Sequence, residues 1–120
     1  MFQLDLKSGV PICDQIVNGF IRLKALGVIA DGEKMPSVRA LASQFSVNPN
    51  TVQKAYALLE QNGIIYSVKG KGSFFSDDES SHKAIIETAK NDFCAAVRTA
   101  CQLGLTKQDL LKCIEKEADV

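Results

Sequence analysis

Apolar residues recur three or four positions apart in several stretches of this chain, which is the spacing of one face of an α-helix. The first stretch lies between Pro11, which suits a first helical position, and Gly27, which suits a helix end. Its apolar positions are Ile12, Ile16, Phe20, Leu23 and Leu26. The pattern predicts a first helix between these two residues.

Two shorter helices are predicted after an intervening loop. Ser37 can cap the second helix, and Asn48 can cap the third, with Pro49 in the first turn, where its missing N–H costs nothing. The third helix is expected to run to about Asn62, and one of its faces is apolar while the other is polar. The apolar face comprises Val52, Ala55, Tyr56 and Leu59, and the opposite face comprises Asn50, Gln53, Lys54 and Ala57.

A hairpin and two more helices complete the pattern. Residues 64–68 and 73–75 are β-like and flank a tip of alternating lysine and glycine at 69–72. The polar residues 76–81 predict a linker or a frayed helix start. A long helix follows to Leu103, and Thr106 with Asp109 predicts a capping box for the last helix. The long helix carries a seam at Ile86, Ala89, Phe93, Ala96, Ala100 and Leu103.

Length and composition narrow the class of protein. The chain has 120 residues, which is enough for one compact domain or a small domain with an appendage, and too few for a large multidomain enzyme. Hydrophobic residues make up 46% and charged residues 23%, as expected of a chain that folds. No apolar run approaches the roughly 18 residues of a membrane span, and the start lacks a signal-peptide pattern. We therefore expect a cytoplasmic protein without a membrane partner.

Cysteine and histidine predict neither a metal site nor a disulfide framework. The cysteines are Cys13, Cys94, Cys101 and Cys113, with no CxxC pair, and His82 is the only histidine. We expect reduced, mostly buried thiols and no cofactor. The seven-residue spacing of Cys94 and Cys101 leaves open the alternative of a cysteine-based redox-responsive regulator.

The zero net charge conceals an asymmetry along the chain. Residues 33–75 carry five basic and two acidic side chains, a net charge of +3, whereas residues 76–120 carry six basic and nine acidic ones, a net charge of −3. This division favours an anion-facing front and a solvated back, although three charges alone are a weak signal.

The order of the elements predicts a winged helix-turn-helix. A recognition helix reads base edges in the major groove, and amides such as Asn50 and Gln53 can pair bidentately with adenine. A hairpin tip that alternates lysine with glycine lets the backbone approach a duplex while Lys69 and Lys71 meet phosphates or enter the minor groove. These features predict binding to double-stranded DNA.

Four segments at fixed spacing resemble the GntR family of bacterial transcriptional repressors, and specifically its YtrA-like branch. They are 36–42 (PSVRALA), 47–56 (VNPNTVQKAY), 59–63 (LEQNG) and 70–74 (GKGSF). Many family members carry an arginine where this chain has Asn48, but Asn48-Pro49 is usual in the YtrA-like and MocR-like branches. MocR-type members carry a fused aminotransferase-like domain, so the short tail favours the YtrA-like branch.

The resemblance implies roles for individual residues. In the family, the arginine of the P-S-x-R segment, here Arg39, contacts the operator, and the start of the recognition helix reads bases. The resemblance also implies that the C-terminal helical pair dimerises, through the seam given above. The predicted DNA-binding residues are Ser37, Arg39, Asn48, Asn50, Thr51, Gln53, Lys54, Lys69, Gly70 and Lys71.

The sequence thus predicts a mainly α fold, with an N-terminal winged helix-turn-helix that has a small β-hairpin wing, and a C-terminal helical hairpin for dimerisation. Residues 1–75 are expected to bind DNA and residues 76–120 to dimerise. The predicted function is a sequence-specific transcriptional regulator, a repressor that binds an inverted-repeat operator as a homodimer. The alternatives are a winged-helix protein-interaction module and the redox-responsive regulator. No nucleophile, phosphate loop or metal cluster indicates an enzyme, and the sequence identifies no effector.

Overall fold

A computed structural model describes residues 2–118 of the chain. Within them the elements follow in the order α1 (Ile12–Ala25), α2 (Val38–Phe45), α3 (Pro49–Gln61), β1 (Ile65–Val68), β2 (Gly72–Phe75), α4 (Glu79–Gln102) and α5 (Lys107–Glu117). The chain divides into a first unit, Met1–Lys83, and a second unit, Ala84–Val120. This division comes later in the chain than the boundary predicted after Phe75, and the roles predicted for the two parts remain predictions.

Helix α1 begins one residue later than its sequence pattern predicts. The sequence predicts Pro11 at the first helical position, but its ψ of 141° is extended, so Pro11 is instead the N-cap. Its carbonyl accepts the N–H of Gln15 at 3.1 Å. The Gln15 side chain also holds the preceding segment, because its Nε2 donates to the Asp5 carbonyl and its Oε1 accepts the Asp5 N–H, both at 2.7 Å.

The turn between α2 and α3 is short and is closed by backbone and side-chain hydrogen bonds. Ser46 ends α2 in the left-handed region, with φ 56°, and the Val47 N–H donates to the Ala42 carbonyl at 3.0 Å. Asn48 then caps α3 by accepting the Asn50 N–H at 2.8 Å. Because the first N–H groups of a helix lack partners within it, this cap fixes where α3 starts, as predicted.

A core of apolar side chains holds α3 in place within the first unit. Phe20 and Leu59 are 0% exposed, and Phe75 is 1% exposed. The Phe20 ring packs edge-on against Phe2, with centroids 5.1 Å apart, and against Tyr56 at 6.1 Å. The predicted inward face of α3 is buried throughout, at Val52, Ala55, Tyr56 and Leu59.

Strands β1 and β2 form the predicted hairpin. They pair antiparallel, with Ile65 opposite Phe75 at one end and Val68 opposite Gly72 at the other. Side chains alternate between the faces of a strand, so Ile65 and Phe75 are buried while Tyr66 and Phe74 stack on the other face, with centroids 5.8 Å apart. Residues 69–71 form the tip of this wing.

The second unit contains α5 and all of α4 from Ala84 onward, and its described residues form no core of their own. Gly104, with φ 100°, lies between α4 and α5. The predicted capping box is present, since the Asp109 N–H donates to Thr106 Oγ1 at 3.2 Å and the Thr106 N–H donates to Asp109 Oδ2 at 2.8 Å. None of the described side chains of this unit is buried. The predicted fold class, a mainly helical chain with a winged helix-turn-helix and a C-terminal helical region, is confirmed.

Candidate nucleic-acid interface

The N-terminal part of α3 turns amide and ammonium side chains away from the core. Asn50, Gln53 and Lys54 are exposed, whereas Val52 and Ala55, on the opposite face, are 0% exposed. Because residues three and four apart share a helix face, the exposed side chains form one polar surface. The face predicted to be polar is therefore the solvent face of α3.

The chemistry of this face suits a duplex. Each carboxamide offers a donor and an acceptor, the pattern that pairs with an adenine edge, and the free N–H groups at a helix N-terminus attract phosphate. The Oδ1 atom of Asn48 is engaged in the cap, so its NH₂ group remains as the donor of that side chain. Thr51 is half-buried and is the least accessible of the predicted contacts on α3.

A second cluster of predicted contacts lies at the start of α2. Ser37 caps this helix by accepting the Ala40 N–H at 3.1 Å, and Arg39 is exposed in the first turn. The helix dipole disfavours a cation at this end unless an anion is also present. An exposed arginine here therefore suits a phosphate-binding position.

Tyr56 ties α3 to this second cluster. Its hydroxyl donates to the Pro36 carbonyl at 2.6 Å, immediately before the residue that caps α2. Burial raises the pKa of the Tyr56 phenol well above its ordinary value, so the group remains a donor throughout the physiological range. The hydrogen bond keeps the start of α2 in register with the middle of α3.

The wing carries its cations on an exposed turn. Lys69, Gly70 and Lys71 are all exposed, and the Lys71 N–H donates to the Val68 carbonyl at 2.9 Å to close the turn. Gly70 adopts φ 79°, a left-handed conformation that favours glycine. The tip therefore presents two ammonium groups beside backbone that carries no side chain at Gly70.

All the residues predicted to contact DNA lie in the first unit. Nine are exposed and Thr51 is half-buried; the exposed ones are Ser37, Arg39, Asn48, Asn50, Gln53, Lys54, Lys69, Gly70 and Lys71. Exposure makes them available for contact, but their roles at DNA remain predictions. The sequence pattern gave no role to Lys34, whose side chain is exposed. The backbone of Lys34 pairs with that of Phe74 in β2 as an isolated antiparallel β-bridge. No local signal could have found it, because the pairing joins distant parts of the chain.

An apolar groove runs between the two helices of the second unit. Its volume is about 770 Å³, and α4 and α5 both contribute to its walls. Of the predicted dimerisation seam, Phe93, Ala96 and Ala100 line the groove. Ile86 and Ala89 lie on α4 outside it, and Leu103 lies in the turn after the end of α4, also outside the groove lining. The other residues that line it are Val97, Leu105, Leu110, Cys113, Ile114, Glu117 and Ala118.

The expectation of mostly buried thiols is wrong for this structure. Cys94, Cys101 and Cys113 are exposed, because the second unit has no core in which to bury them, and Cys13 is half-buried. Burial, and to a smaller extent the nearby carboxylate of Asp14, raises the pKa of the Cys13 thiol. The redox-responsive alternative remains a prediction.

In residues 2–118, no group of three or more histidine, cysteine, aspartate or glutamate side chains is arranged to hold a metal ion. Among the same residues, no helix has both the length and the apolarity needed to cross a bilayer.

Comparison with known sequences identifies related transcriptional regulators. Residues 22–75 match the family described as bacterial regulatory proteins, gntR family. The chain is 44% identical over 78 residues to the HTH-type transcriptional repressor YtrA of Bacillus subtilis strain 168. That match spans 65% of this chain and 60% of YtrA, so less than two thirds of that relative is covered.

Solved structures resemble either nearly all of this chain or about two thirds of it. A protein described as a transcriptional antiterminator from Listeria monocytogenes EGD-e superposes with a TM-score of 0.77 at 37% identity, over 99% of this chain and 90% of that one. A GntR family transcriptional regulator from Listeria monocytogenes gives 0.71 at 32% identity, over 92% and 98%. The DNA-binding domain of AraR in complex with operator ORE1 gives 0.54 at 32% identity, over 63% of this chain and 95% of that one.

Proposed function

This chain belongs to the GntR family of bacterial regulatory proteins, in its YtrA-like branch, and is a transcriptional regulator with a DNA-binding domain. From that premise we propose that it is a repressor and that it binds an inverted-repeat operator as a homodimer. The observation that carries this proposal is the exposed polar face at the N-terminal end of α3, which is held by a buried face on the other side of the same helix.

The proposed contacts divide into base readout and phosphate binding. Asn50 and Gln53 read base edges in the major groove, since their amides carry the donor–acceptor pair that adenine requires. Asn48 and Thr51 support them from the same end of α3, and Ser37 contacts the backbone from the start of α2. The phosphate-binding residues are Arg39, Lys54, Lys69 and Lys71, with Gly70 allowing the wing backbone to approach.

Dimerisation follows from the apolar surface of the second unit. Phe93 is 54% exposed and Leu103 is 80% exposed, which is costly for side chains of this size in water. A second copy of the chain, packed on the groove and the seam of α4, would bury these side chains. A two-fold axis through that contact presents two recognition helices to half-sites roughly 34 Å apart, and so predicts an inverted repeat.

Repression is the mode of action that this arrangement supports most simply. The chain supplies a DNA-binding unit and a helical pair, and a dimer bound at a promoter would block access to that promoter. The name of its relative YtrA, a transcriptional repressor, supports the same direction.

In vitro selection tests the proposal. The full chain is incubated with a random-sequence duplex library, and the retained sequences are read. We expect enrichment of two inverted half-sites separated by one helical turn, or by a multiple of one. Enrichment of a single asymmetric half-site would contradict the homodimer, and the absence of any enrichment would contradict sequence-specific binding. A promoter that carries the selected site should then give less transcript in vitro when the protein is added.

Salt dependence separates this proposal from a winged-helix module that binds other proteins. Lysines that neutralise phosphates release counterions, so the affinity for duplex should fall by orders of magnitude between about 50 and 200 mM salt. A protein-binding surface would respond far less to the same change.

A further inference from the structure

Residues 32–35 lie along the outer edge of the wing as a short third segment. The Gly32 N–H donates to the Phe75 carbonyl and the Met35 N–H donates to the Ser73 carbonyl, both at 2.8 Å. Lys34 is paired antiparallel with Phe74. Directly paired residues of antiparallel strands project to the same face, so Lys34 shares a face with Phe74, away from the buried Phe75.

Gly72, the first residue of β2, provides space for the side chain of Lys34. A Cβ placed on Gly72 would lie 3.0 Å from Cε of Lys34 and 3.8 Å from its Nζ. Gly72 also has φ 113°, a conformation that side chains rarely adopt. The end of the Lys34 side chain therefore lies over Gly72, next in the chain to the tip residue Lys71.

The ammonium group of Lys34 lacks a counterion in the described chain. No carboxylate of residues 2–118 forms an ion pair with Lys34, Lys69 or Lys71, whereas Lys24 pairs with Asp31 at 2.8 Å. Lys69 and Lys71 of the tip, and Lys34 whose side chain ends beside Gly72, are thus three cations without an ion-paired carboxylate in the described chain. An arrangement of this kind is favourable where an anion binds.

We propose that Lys34 is a third phosphate-binding cation of the wing, held in place by its contact with Gly72 and its pairing with Phe74. This inference rests on the proposed function, in which the wing tip contacts duplex DNA. Strand pairing fixes the backbone of Lys34, so less backbone entropy is lost on binding than for a lysine on an unpaired segment. The absence of a side chain at Gly72 leaves space for the aliphatic part of the Lys34 side chain.

The test compares the salt dependence of binding between charge-matched variants. The full chain and the variants Lys34→Gln and Lys34→Arg are titrated with one mixed-sequence DNA duplex over a range of salt concentrations. Lys107→Gln is the control, because it removes the same charge from an exposed position in the second unit that does not line the groove. Thermal unfolding of each variant verifies that it is folded.

We expect Lys34→Gln to reduce the magnitude of the slope of log affinity against log salt by about 0.9 for each bound chain, and to weaken binding at low salt roughly ten-fold for each bound chain. Lys34→Arg should retain the wild-type slope, and so should Lys107→Gln. An unchanged slope for Lys34→Gln would overturn the role of Lys34 while leaving DNA binding intact, and an equal loss for Lys107→Gln would reduce the effect to net charge. Failure of the wild-type chain to bind the duplex at all would instead refute the proposed function.

Discussion

The two units of this chain bury their apolar side chains to very different extents. The buried apolar residues of the described chain all lie between Ile16 and Phe75, within the first unit. In the second unit, Phe93 on α4 is 54% exposed and Leu103, in the turn after α4, is 80% exposed, although both belong to a stretch with regular apolar spacing. The first unit therefore folds around its own core, whereas the second exposes apolar side chains that the proposed dimer would cover.

The apolar faces of α3 and α4 show what apolar spacing can predict and what it cannot. The 3–4 spacing identifies an apolar face on α3 and on α4 alike. On α3 that face is covered by α1 and α2, while on α4 it remains open. Spacing predicts which residues form an apolar face. Only the structure shows whether other parts of the same chain bury that face.

The largest expected effect comes from a phenylalanine of the core. Phe20→Ala should lower the free energy of unfolding by about 3–5 kcal/mol, because the ring is 0% exposed and its loss leaves a cavity. Chemical denaturation measures this loss, which should not depend on protein concentration. Phe74→Ala is the matched control, since this ring is only half-buried on the outer face of the wing and should cost less. Equal losses for the two variants would contradict the assignment of the core.

The corresponding change in the second unit should act on assembly instead. Phe93→Ala removes a large exposed side chain of the groove and should weaken the proposed dimer by about 1.5–3 kcal/mol, or roughly ten- to a hundred-fold in dissociation constant. Sedimentation equilibrium measures this constant. Leu111→Ala, on α5 but outside the groove lining, is the control and should change it little. A wild-type chain that stays monomeric at high concentration would contradict the proposed dimer itself.

A smaller effect is expected at the recognition helix. Asn50→Ala or Gln53→Ala should weaken binding to the selected operator by about 1–3 kcal/mol and relax base choice at one position per half-site. Competition binding with operator variants measures both changes, while the dimer dissociation constant should remain that of the wild type. Gln61→Ala, at the opposite end of α3, should leave affinity and base choice alone. Equal losses on operator and on random DNA would show that these amides do not read bases.

The sequence predicts well those features that depend on neighbouring residues. The caps at Ser37, Asn48 and Thr106 are local hydrogen bonds between residues two or three apart, and all three are present. The polar surface of α3 is equally local, since it follows from helix geometry. Pro11 is misplaced by a single residue: its φ of −54° fits a helix, but its ψ of 141° is extended, and the sequence does not fix ψ.

Features that join distant segments could not be predicted in the same way. The β-bridge between Lys34 and Phe74 depends on how the loop before α2 packs against the hairpin. Neither segment's own sequence indicates that the two pair. The exposure of Cys94, Cys101 and Cys113 depends on the absence of a core in the second unit, whereas the average tendency of cysteine is burial. The candidate site is therefore predictable for its helix and its tip, and not for the edge that lies beside them.

The smallest expected effect concerns the capping box at the start of α5, in the second unit. There the contribution of Asp109 to the free energy of unfolding should depend on pH. The backbone N–H of Thr106, and then its hydroxyl, lower the pKa of the Asp109 carboxyl in the folded chain. A lowered pKa means that the carboxylate stabilises the fold above its ordinary pKa of about 3.9, and that this contribution is lost as the pH falls through the lower folded value.

Asp109→Asn should therefore have a lower free energy of unfolding than wild type near neutral pH, and the gap between the two free energies should close as the pH falls below about 4. Urea denaturation followed by helix content measures the gap, and Asp109→Glu, which restores the usual capping-box residue, should retain the wild-type pH dependence. A gap that stays constant down to about pH 2 would show that the carboxylate contributes nothing through its charge.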